Sequence, residues 1–165
     1  SGSEMELKPK TPDEPEKERK NDFARIHGDR LRDLLEPGEE LLGVAAVNWQ
    51  RSMFKQTVSA LGVTRDRIIV QPLDRKGRFD GQSAVLIRRD EITKGSYGGG
   101  GSGDSPSSWI MNSSSIEVKL KTSGGEKYKF MLMTGEGMFG GMAGGPSQRN
   151  GAEALVSFLD AGSSI

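Results

Sequence analysis

The chain has 165 residues, of which 33% are hydrophobic and 23 are glycine, so a packed core can cover only part of it. It contains no cysteine and a single histidine, which excludes disulfides, thiolate zinc sites and most histidine-rich metal sites. Lysine plus arginine and aspartate plus glutamate number 23 each, and this neutral balance argues against nucleic acid as a partner. No apolar run approaches the ~18 residues of a membrane span and no signal peptide opens the chain, so we expect a cytoplasmic protein.

The N-terminal part divides into a tail and a helix. Residues 1–20 are charged and interrupted by three prolines, a composition that buries too little apolar surface to offset the cost of ordering. We expect this tail to be disordered, and residues 1–3 have the sequence of a cloning remnant. In residues 21–36 apolar side chains recur at a spacing of three and four, which predicts a helix that Pro37 and Gly38 end.

After Pro37, short apolar runs follow one another at the spacing typical of β-strands. They cover residues 41–49, 58–63, 67–73, 83–87 and 92–97. Residues 98–108 form a loop that is too rich in glycine and serine to pack, with a composition that fits an engineered linker or a natural loop. This part of the chain therefore predicts five strands.

The clearest hairpin covers residues 116–133, where apolar residues alternate with charged ones on both strands. Directly opposite residues share one face of a sheet, so the turn must keep the apolar positions aligned. A three-residue loop at 123–125 places Leu120 opposite Tyr128, whereas a two-residue loop would place it opposite Lys129. The three-residue loop is therefore expected. It also puts four lysines on the outer face: Lys119, Lys121, Lys127 and Lys129.

A loop rich in glycine and methionine covers residues 134–146, and a final helix follows it. Asn150 and Glu153 have the spacing of a capping box, Gly162 ends the helix, and apolar residues recur at helical spacing between them. We therefore expect a mainly β (α+β) fold, in which a seven-stranded bent antiparallel sheet or partly open barrel is capped by a C-terminal helix. The helix at residues 21–36 is an addition to this arrangement.

Three features resemble the pleckstrin-homology-like (PH-like) superfamily, in particular its bacterial PH-like and GRAM-like domains. The first is the acidic Pro37-Gly38-Glu39 sequence before the first strand. The second is the hairpin of residues 60–70, similar to a Leu-Thr-x-x-Arg motif, and the third is a last strand pair that leads into a single helix. The resemblance covers residues 37–162. It implies a binding scaffold, often in multi-protein or membrane-associated settings, without catalysis or a cofactor.

The first candidate partner surface is rich in methionine. It combines Met131 and Met133, which the hairpin register places on the outer face, with Met138, Phe139 and Met142 from the following loop. Such surfaces adapt to the shape of a protein partner or of a second copy of the chain. The alternative is that the loop folds back and covers the two strand methionines. Our leading hypothesis from the sequence is a non-catalytic module for protein–protein interaction.

The second candidate surface lies between the first two strands and consists of Trp49, Arg51, Phe54 and Lys55. Aromatic rings suit the headgroup depth of a membrane, where cations meet lipid phosphates. The alternative function is therefore reversible binding to anionic lipid headgroups, peripheral to the membrane. Further bases in residues 65–78 strengthen this surface if they share its face. The competing interpretation is a hairpin whose Trp49 and Phe54 belong to the rim of the core.

The remaining motifs favour structural interpretations. Residues 135–140 match G-x-G-x-x-G, but no helix follows directly and no second βα unit exists, so we do not expect nucleotide binding. The four hairpin lysines are typical of a solvated face. His27 lies on the apolar face of the first helix, where we expect packing rather than catalysis. No spacing predicts a metal site or a nucleophile with its base, and a small enzyme is only a third hypothesis.

Overall fold

Two helices and seven strands make up the part of the chain that the structure, a computed structural model, describes. The described residues are 14–99, 115–133 and 145–163, with side chains described for 23–98, 116–132 and 148–160. The elements are α1 (Glu14–Arg32), β1 (Gly43–Gln50), β2 (Gln56–Val63), β3 (Arg67–Pro72), β4 (Val85–Arg88), a 3-10 turn (Arg89–Glu91), β5 (Ile92–Gly99), β6 (Ser115–Thr122), β7 (Lys127–Met133) and α2 (Gly145–Ser163). Every strand predicted from the sequence is present, within about two residues of its expected bounds.

The seven strands form one antiparallel sheet in the order β4-β3-β2-β1-β7-β6-β5. β1 joins the two halves of this sheet, because it pairs with β2 along its whole length but with β7 only at Asn48 and Trp49. β4 and β5 form the two edges. The curled seven-stranded antiparallel sheet with its closing C-terminal helix is the mainly β fold class that the sequence predicts.

The β6–β7 hairpin has the register predicted from its alternating pattern. Leu120 lies opposite Tyr128, and the lysines pair with one another on the other face. The Thr122 amide donates to the Glu126 carbonyl at 2.9 Å, which closes a three-residue loop. In that loop Gly125 has φ +85°, a left-handed conformation that glycine adopts at no steric cost. The alignment of apolar residues across the strands therefore predicted the turn correctly.

The two faces of the β1–β3 part of the sheet are buried by different elements. The inner face and α2 form the main core, which includes Val47, Leu61, Val70, Phe130 and Leu155. On the outer face, Ala46, Ala60 and Ile69 are covered by Phe23 and Leu31 of α1. The N-terminal helix is thus held by an apolar strip of its own, separate from the main core.

α1 differs from its predicted bounds at both ends. Residues 14–20, which the sequence predicts to be disordered, are helical, since their Glu, Lys and Arg residues are good helix formers that extend a docked helix. The helix ends at Arg32 rather than at residue 36. The Leu34 and Leu35 amides then donate to carbonyls three residues back, as in turns, and the Leu34 carbonyl accepts a hydrogen bond from Arg67 Nη2, 2.6 Å. The prediction of disorder is thereby corrected for these residues, while residues 1–13 lie outside the described part.

α2 begins earlier than the capping-box pattern predicts. Pro146 lies in its first turn, where the missing amide costs no helical hydrogen bond. Gln148 binds β1 through both ends of its amide: Oε1 accepts from the Ala46 amide and Nε2 donates to the Ala46 carbonyl, each at 2.8 Å. Gly151 allows a close approach, since a Cβ there would lie 2.2 Å from a backbone oxygen of β1. With these contacts, α2 begins about one turn before the predicted cap at Asn150.

Each of the two glycine-rich loops is two residues shorter than predicted, because the adjoining strand or helix extends into it. Residues 98 and 99 extend β5, and residues 145 and 146 open α2. The rest of the two loops, residues 100–108 and 134–144, lies outside the described part of the chain.

Candidate functional site

The structure separates the residues of the candidate lipid surface. Trp49 belongs to the core, since it is 6% exposed and its ring centroid lies 5.9 Å from that of Tyr128 and 6.1 Å from that of Phe130. Phe54 is 94% exposed. The interpretation of Trp49 as a membrane-facing ring is therefore wrong. Its indole instead positions Arg51, whose Cζ lies 4.2 Å from the Trp49 ring centroid.

The turn between β1 and β2 is ordered by its own hydrogen bonds. The Arg51 amide donates to the Lys55 carbonyl at 2.9 Å, and Ser52 Oγ accepts from the Lys55 amide at 3.1 Å. Met53 and Phe54 lie within this turn and are 88% and 94% exposed. Met53 was not singled out from the sequence, although it stands beside Phe54. The hairpin therefore holds two bulky apolar side chains in solvent, between two basic residues.

A second loop projects from the same end of the sheet. Because β2 and β3 are antiparallel neighbours, residues 73–84 leave β3 beside the start of β2. Asp74 organises this loop, since its Oδ1 accepts from the amides of Arg78, 2.9 Å, and Lys76, 2.8 Å. These two bonds hold the pKa of Asp74 below its ordinary value. The carboxylate is thus used to shape the loop, and its neighbouring bases extend from an ordered backbone.

We call residues 51–55 and 74–80 together the tip surface. Its bases outnumber its acids by five to two: Arg51, Lys55, Arg75, Lys76 and Arg78 against Asp74 and Asp80. Phe79 adds an aromatic ring that is 44% exposed, with Arg30 Cζ 4.6 Å from its centroid. Of the further bases considered from the sequence, those at 75, 76 and 78 share this end, whereas Arg65 and Arg67 lie at the opposite end of the sheet. The tip surface thus combines exposed apolar side chains with an excess of positive charge.

The opposite end of the same sheet contains a buried ion pair that the sequence did not predict. Arg67 donates to Glu39 through Nη2, 2.7 Å to Oε1, and through Nε, 2.8 Å to Oε2. Thr64 Oγ1 also donates to Glu39, 3.0 Å, and the Arg67 and Glu39 side chains are 6% and 14% exposed. The pKa of Glu39 is lowered to about 2, mainly by the hydrogen bonds that Arg67 donates to it.

This Glu39–Arg67 pair connects two of the three features that carried the resemblance found in the sequence. Glu39 belongs to the acidic sequence before β1, and Thr64 and Arg67 belong to the β2–β3 hairpin. The signal available in the sequence was the presence of charged residues inside otherwise apolar motifs. Because their hydrogen bonds are made within the fold, these residues join two segments rather than forming an open site.

The methionine-rich surface is described only in part. Met131 is half-buried, with Asn48 and Glu117 as its register partners. The side chain of Met133 and the whole of Met138, Phe139 and Met142 lie outside the described residues. Their role in binding a partner therefore stays a prediction.

The four hairpin lysines have a counter-charge on their own face. Glu117 lies between two of them, with Oε1 3.4 Å from Lys119 Nζ and Oε2 3.4 Å from Lys129 Nζ. Lys121 and Lys127 are exposed. Since Glu117 offsets the repulsion between neighbouring lysines, this face matches the solvated surface expected from the sequence.

His27 packs between a ring and a backbone group. It is 6% exposed, with Nε2 3.0 Å from the Gly77 carbonyl and its ring centroid 4.4 Å from that of Phe23. Burial lowers its pKa. Within residues 14–99, 115–133 and 145–163, no cluster of three histidine, aspartate or glutamate side chains could hold a metal ion. Neither helix in these ranges has the length and apolar character needed to cross a membrane.

Known proteins are similar to this chain in fold but not in sequence. No protein-family model matches the sequence, and no curated protein matches it. The hSac2 domain of the human phosphoinositide phosphatase Sac2 matches with a TM-score of 0.50 at 8% identity, over 94% of this chain and 85% of that one. The Vps36 N-terminal PH domain matches with a TM-score of 0.42 at 16% identity, over 76% of this chain and 86% of that one. The DH/PH domains of p115-RhoGEF match with a TM-score of 0.42 at 11% identity, over 77% of this chain and 31% of that one.

Proposed function

We propose that this chain is a non-catalytic binding module that attaches reversibly to anionic membrane surfaces through the tip surface. The observation that carries the proposal is the exposure of Met53 and Phe54, 88% and 94%, in a turn flanked by Arg51 and Lys55. Exposed apolar groups bordered by cations match a lipid headgroup region, in which rings enter the interface and bases contact phosphates. The resemblance of the sequence to PH-like binding scaffolds supports a binding role.

The expected strength of this contact is modest. Each base close to an anionic surface contributes about 1 kcal/mol, so an excess of three positive charges contributes about 3 kcal/mol. Burial of the Phe54 ring in the interface adds about 2 kcal/mol. The total is comparable to the marginal, reversible attachment that one acyl chain gives, with an association constant of ~10⁴ M⁻¹. Attachment of this strength depends on the anionic lipid content of the membrane and on salt.

Interaction with a protein partner through the methionine-rich surface is our second hypothesis. Met131, the member with a described side chain, lies on the outer face of β7 and is half-buried beside Asn48. The two hypotheses differ in their response to salt. Screening weakens contacts between exposed charges and an anionic membrane, whereas burial of methionines is little affected by moderate salt.

Co-sedimentation with vesicles tests the proposal. The full chain is mixed with phosphatidylcholine vesicles, with or without phosphatidylserine, at low and at physiological salt. We expect binding to the anionic vesicles alone, weaker at physiological salt. The double variant Met53→Ala, Phe54→Ala should lower the partition coefficient roughly tenfold or more, because it removes the groups that enter the interface.

A matched control removes exposed apolar side chains from elsewhere. Ile26 and Leu42 are 57% and 52% exposed, and the double variant Ile26→Ala, Leu42→Ala should bind as the parent does. A folded parent that stays in the supernatant with anionic vesicles at low salt contradicts the proposal. Equal binding by the parent and the tip variant also contradicts it.

A further inference from the structure

Helix α1 contacts the second loop of the tip surface directly. His27 of α1 is buried, and its Nε2 lies 3.0 Å from the Gly77 carbonyl oxygen. Since a carbonyl oxygen only accepts, the imidazole donates this hydrogen bond from Nε2. Burial lowers the pKa of His27, so the ring is neutral at physiological pH and carries its one proton on that nitrogen. α1 therefore binds a backbone group in the middle of the loop, 50 positions further along the chain.

Arg30, about one turn further along α1, makes a second contact with the same loop. Its Cζ lies 4.6 Å from the centroid of the Phe79 ring, and its Nε donates to Gln71 Oε1 at 3.4 Å. Gln71 is fully buried near the end of β3 and donates through Nε2 to the Gln82 carbonyl at 2.7 Å. Arg30 thus contacts a ring in the loop and, through Gln71, is connected to the part of the loop that returns towards β4.

The hydrogen bonds within residues 74–78 determine the shape of this turn but not its position. The Asp74 amide donates to the Arg78 carbonyl at 2.8 Å, and the Gly77 amide donates to the Asp74 carbonyl at 2.9 Å. Both bonds lie inside the turn, so the turn can keep its shape while it moves as a unit relative to the sheet. The α1 contacts come from outside the turn, and they therefore fix where it lies.

The position of this turn matters to the tip surface because the turn carries three of its five bases: Arg75, Lys76 and Arg78. All three are exposed, whereas Gly77, which lies among them, is buried and bonded to α1. Groups that are already held in place lose little conformational freedom on binding, so a preorganised surface binds more tightly. A turn released from α1 would lose that advantage.

We propose that His27 and Arg30 are positioning residues of the tip surface, through which α1 holds residues 74–80 beside the β1–β2 turn. Both loops then meet the membrane together. This inference rests on the proposed function, since it concerns how the tip surface binds lipid. It gives a role to a helix that lies outside residues 37–162, the part of the chain that the PH-like resemblance covers. A partner that displaced α1 would also weaken attachment to lipid.

Variants of His27 test this positioning without lipid. His27→Leu removes the donor but keeps an apolar side chain in its place, whereas His27→Gln keeps a donating nitrogen. In the parent we expect the amides of residues 76–78 to have NMR order parameters of about 0.85, which fall below about 0.6 in His27→Leu and recover in His27→Gln. Unchanged order in His27→Leu overturns the proposal. Ile26→Gln, at an exposed position of α1, is the control and should leave these amides unchanged.

A second measurement needs no variant to fold. Nuclear Overhauser effects between the His27 ring and the Gly77 α-protons, and between the Arg30 side chain and the Phe79 ring, are expected in the parent. Their absence overturns the proposal. If His27→Leu impairs folding, Arg30→Met removes the guanidinium from the Phe79 ring and should lower the order of residues 78–80. Unchanged order in that variant also overturns the proposal.

Co-sedimentation with phosphatidylcholine vesicles that contain phosphatidylserine connects the position of the turn to binding. At low salt His27→Leu should lower the partition coefficient several-fold, whereas His27→Gln and Ile26→Gln should bind nearly as the parent does. A variant that loses the order of the turn and still binds as the parent does overturns the role of positioning in binding. A parent that does not bind contradicts the proposed function, and the order parameters then decide by themselves whether α1 positions the turn.

Discussion

The two ends of the β1–β3 part of the sheet use their arginines in opposite ways. At one end Arg67 is 6% exposed and its guanidinium is bonded to Glu39 and to the Leu34 carbonyl. At the other end Arg51 and Lys55 are exposed beside two apolar side chains in solvent. The comparison shows that the role of an arginine or lysine depends on its surroundings in the fold and not on its residue type alone. A base whose counter-charge lies within the fold stabilises it, whereas a base without one in contact can meet an anionic partner.

The largest expected effect on stability comes from breaking the buried Glu39–Arg67 ion pair. Glu39→Gln removes the charge that Arg67 needs and should lower the free energy of unfolding by about 3 kcal/mol, since Arg67 is left buried without a counter-ion. Urea unfolding measures this loss. Glu40→Gln, at the exposed neighbouring position, is the control and should change stability little. Equal stability of the two variants would show that the Glu39–Arg67 pair is not a structural element.

Acid should reproduce the effect of Glu39→Gln. The pKa of Glu39 is about 2 in the fold against an ordinary 4.5, so the unfolded chain binds this proton at higher pH than the folded chain does. The contribution of ionised Glu39 to the free energy of unfolding is complete above pH 4.5 and is lost as the pH falls towards 2. Its size is about 3 kcal/mol. Urea unfolding of the parent and Glu39→Gln should differ at neutral pH and converge near pH 2; a gap that persists at acid pH contradicts the lowered pKa.

Reversal of one charge at the exposed end should act on binding rather than on stability. Lys55→Glu removes one positive charge and adds a negative one, which weakens attachment to anionic vesicles by about 2 kcal/mol, or roughly thirtyfold. Arg65→Glu changes the net charge equally but lies exposed at the opposite end of the sheet, outside the tip surface. Co-sedimentation of the two variants separates a local contact from a general effect of charge. Equal losses for both would assign the attraction to net charge.

The smallest effect is expected from the apolar residues of the tip on stability. Because Met53 and Phe54 are 88% and 94% exposed, Met53→Ala with Phe54→Ala should change the free energy of unfolding by less than about 0.5 kcal/mol. Thermal or urea unfolding checks this value beside the vesicle measurement. A large loss of stability would mean that the pair packs within the fold, and any loss of vesicle binding would then have a structural cause.

The strands and their register were predictable because their signals are local. The alternation in residues 116–133 determined which residues face the core. Because opposite residues must share a face, only the three-residue loop, and not the two-residue one, keeps the apolar positions aligned. Helix bounds were less predictable. Residues 14–20 extend a helix whose Phe23 and Leu31 dock on the outer face of the sheet, and α2 begins early because Gln148 binds β1. Each of these bounds depends on a contact with a distant segment.

The sequence predicted which residue types the candidate site contains, but not which of them are exposed. Trp49 and Phe54 are both aromatic residues of the first hairpin, and nothing local distinguishes them. The short contact between β1 and β7 decides between them, because it sets Trp49 opposite Phe130 in the core while the turn carries Phe54 beyond the sheet. A variant that combines Trp49→Ala with Phe54→Ala would therefore confuse loss of the core with loss of a binding group.

By itself the sequence determined the order of the strands along the chain, the inward and outward faces and the turn of the last hairpin, and the mainly β fold class. These depend on hydrophobic period and turn residues, which act over a few positions. Only the tertiary structure decided which charged and aromatic residues are enclosed and which stay exposed. Glu39 and Arg67 are 28 positions apart, and their burial depends on the folding of two strands between them. Exposure and pairing are properties of the assembled sheet, so no local pattern encodes them.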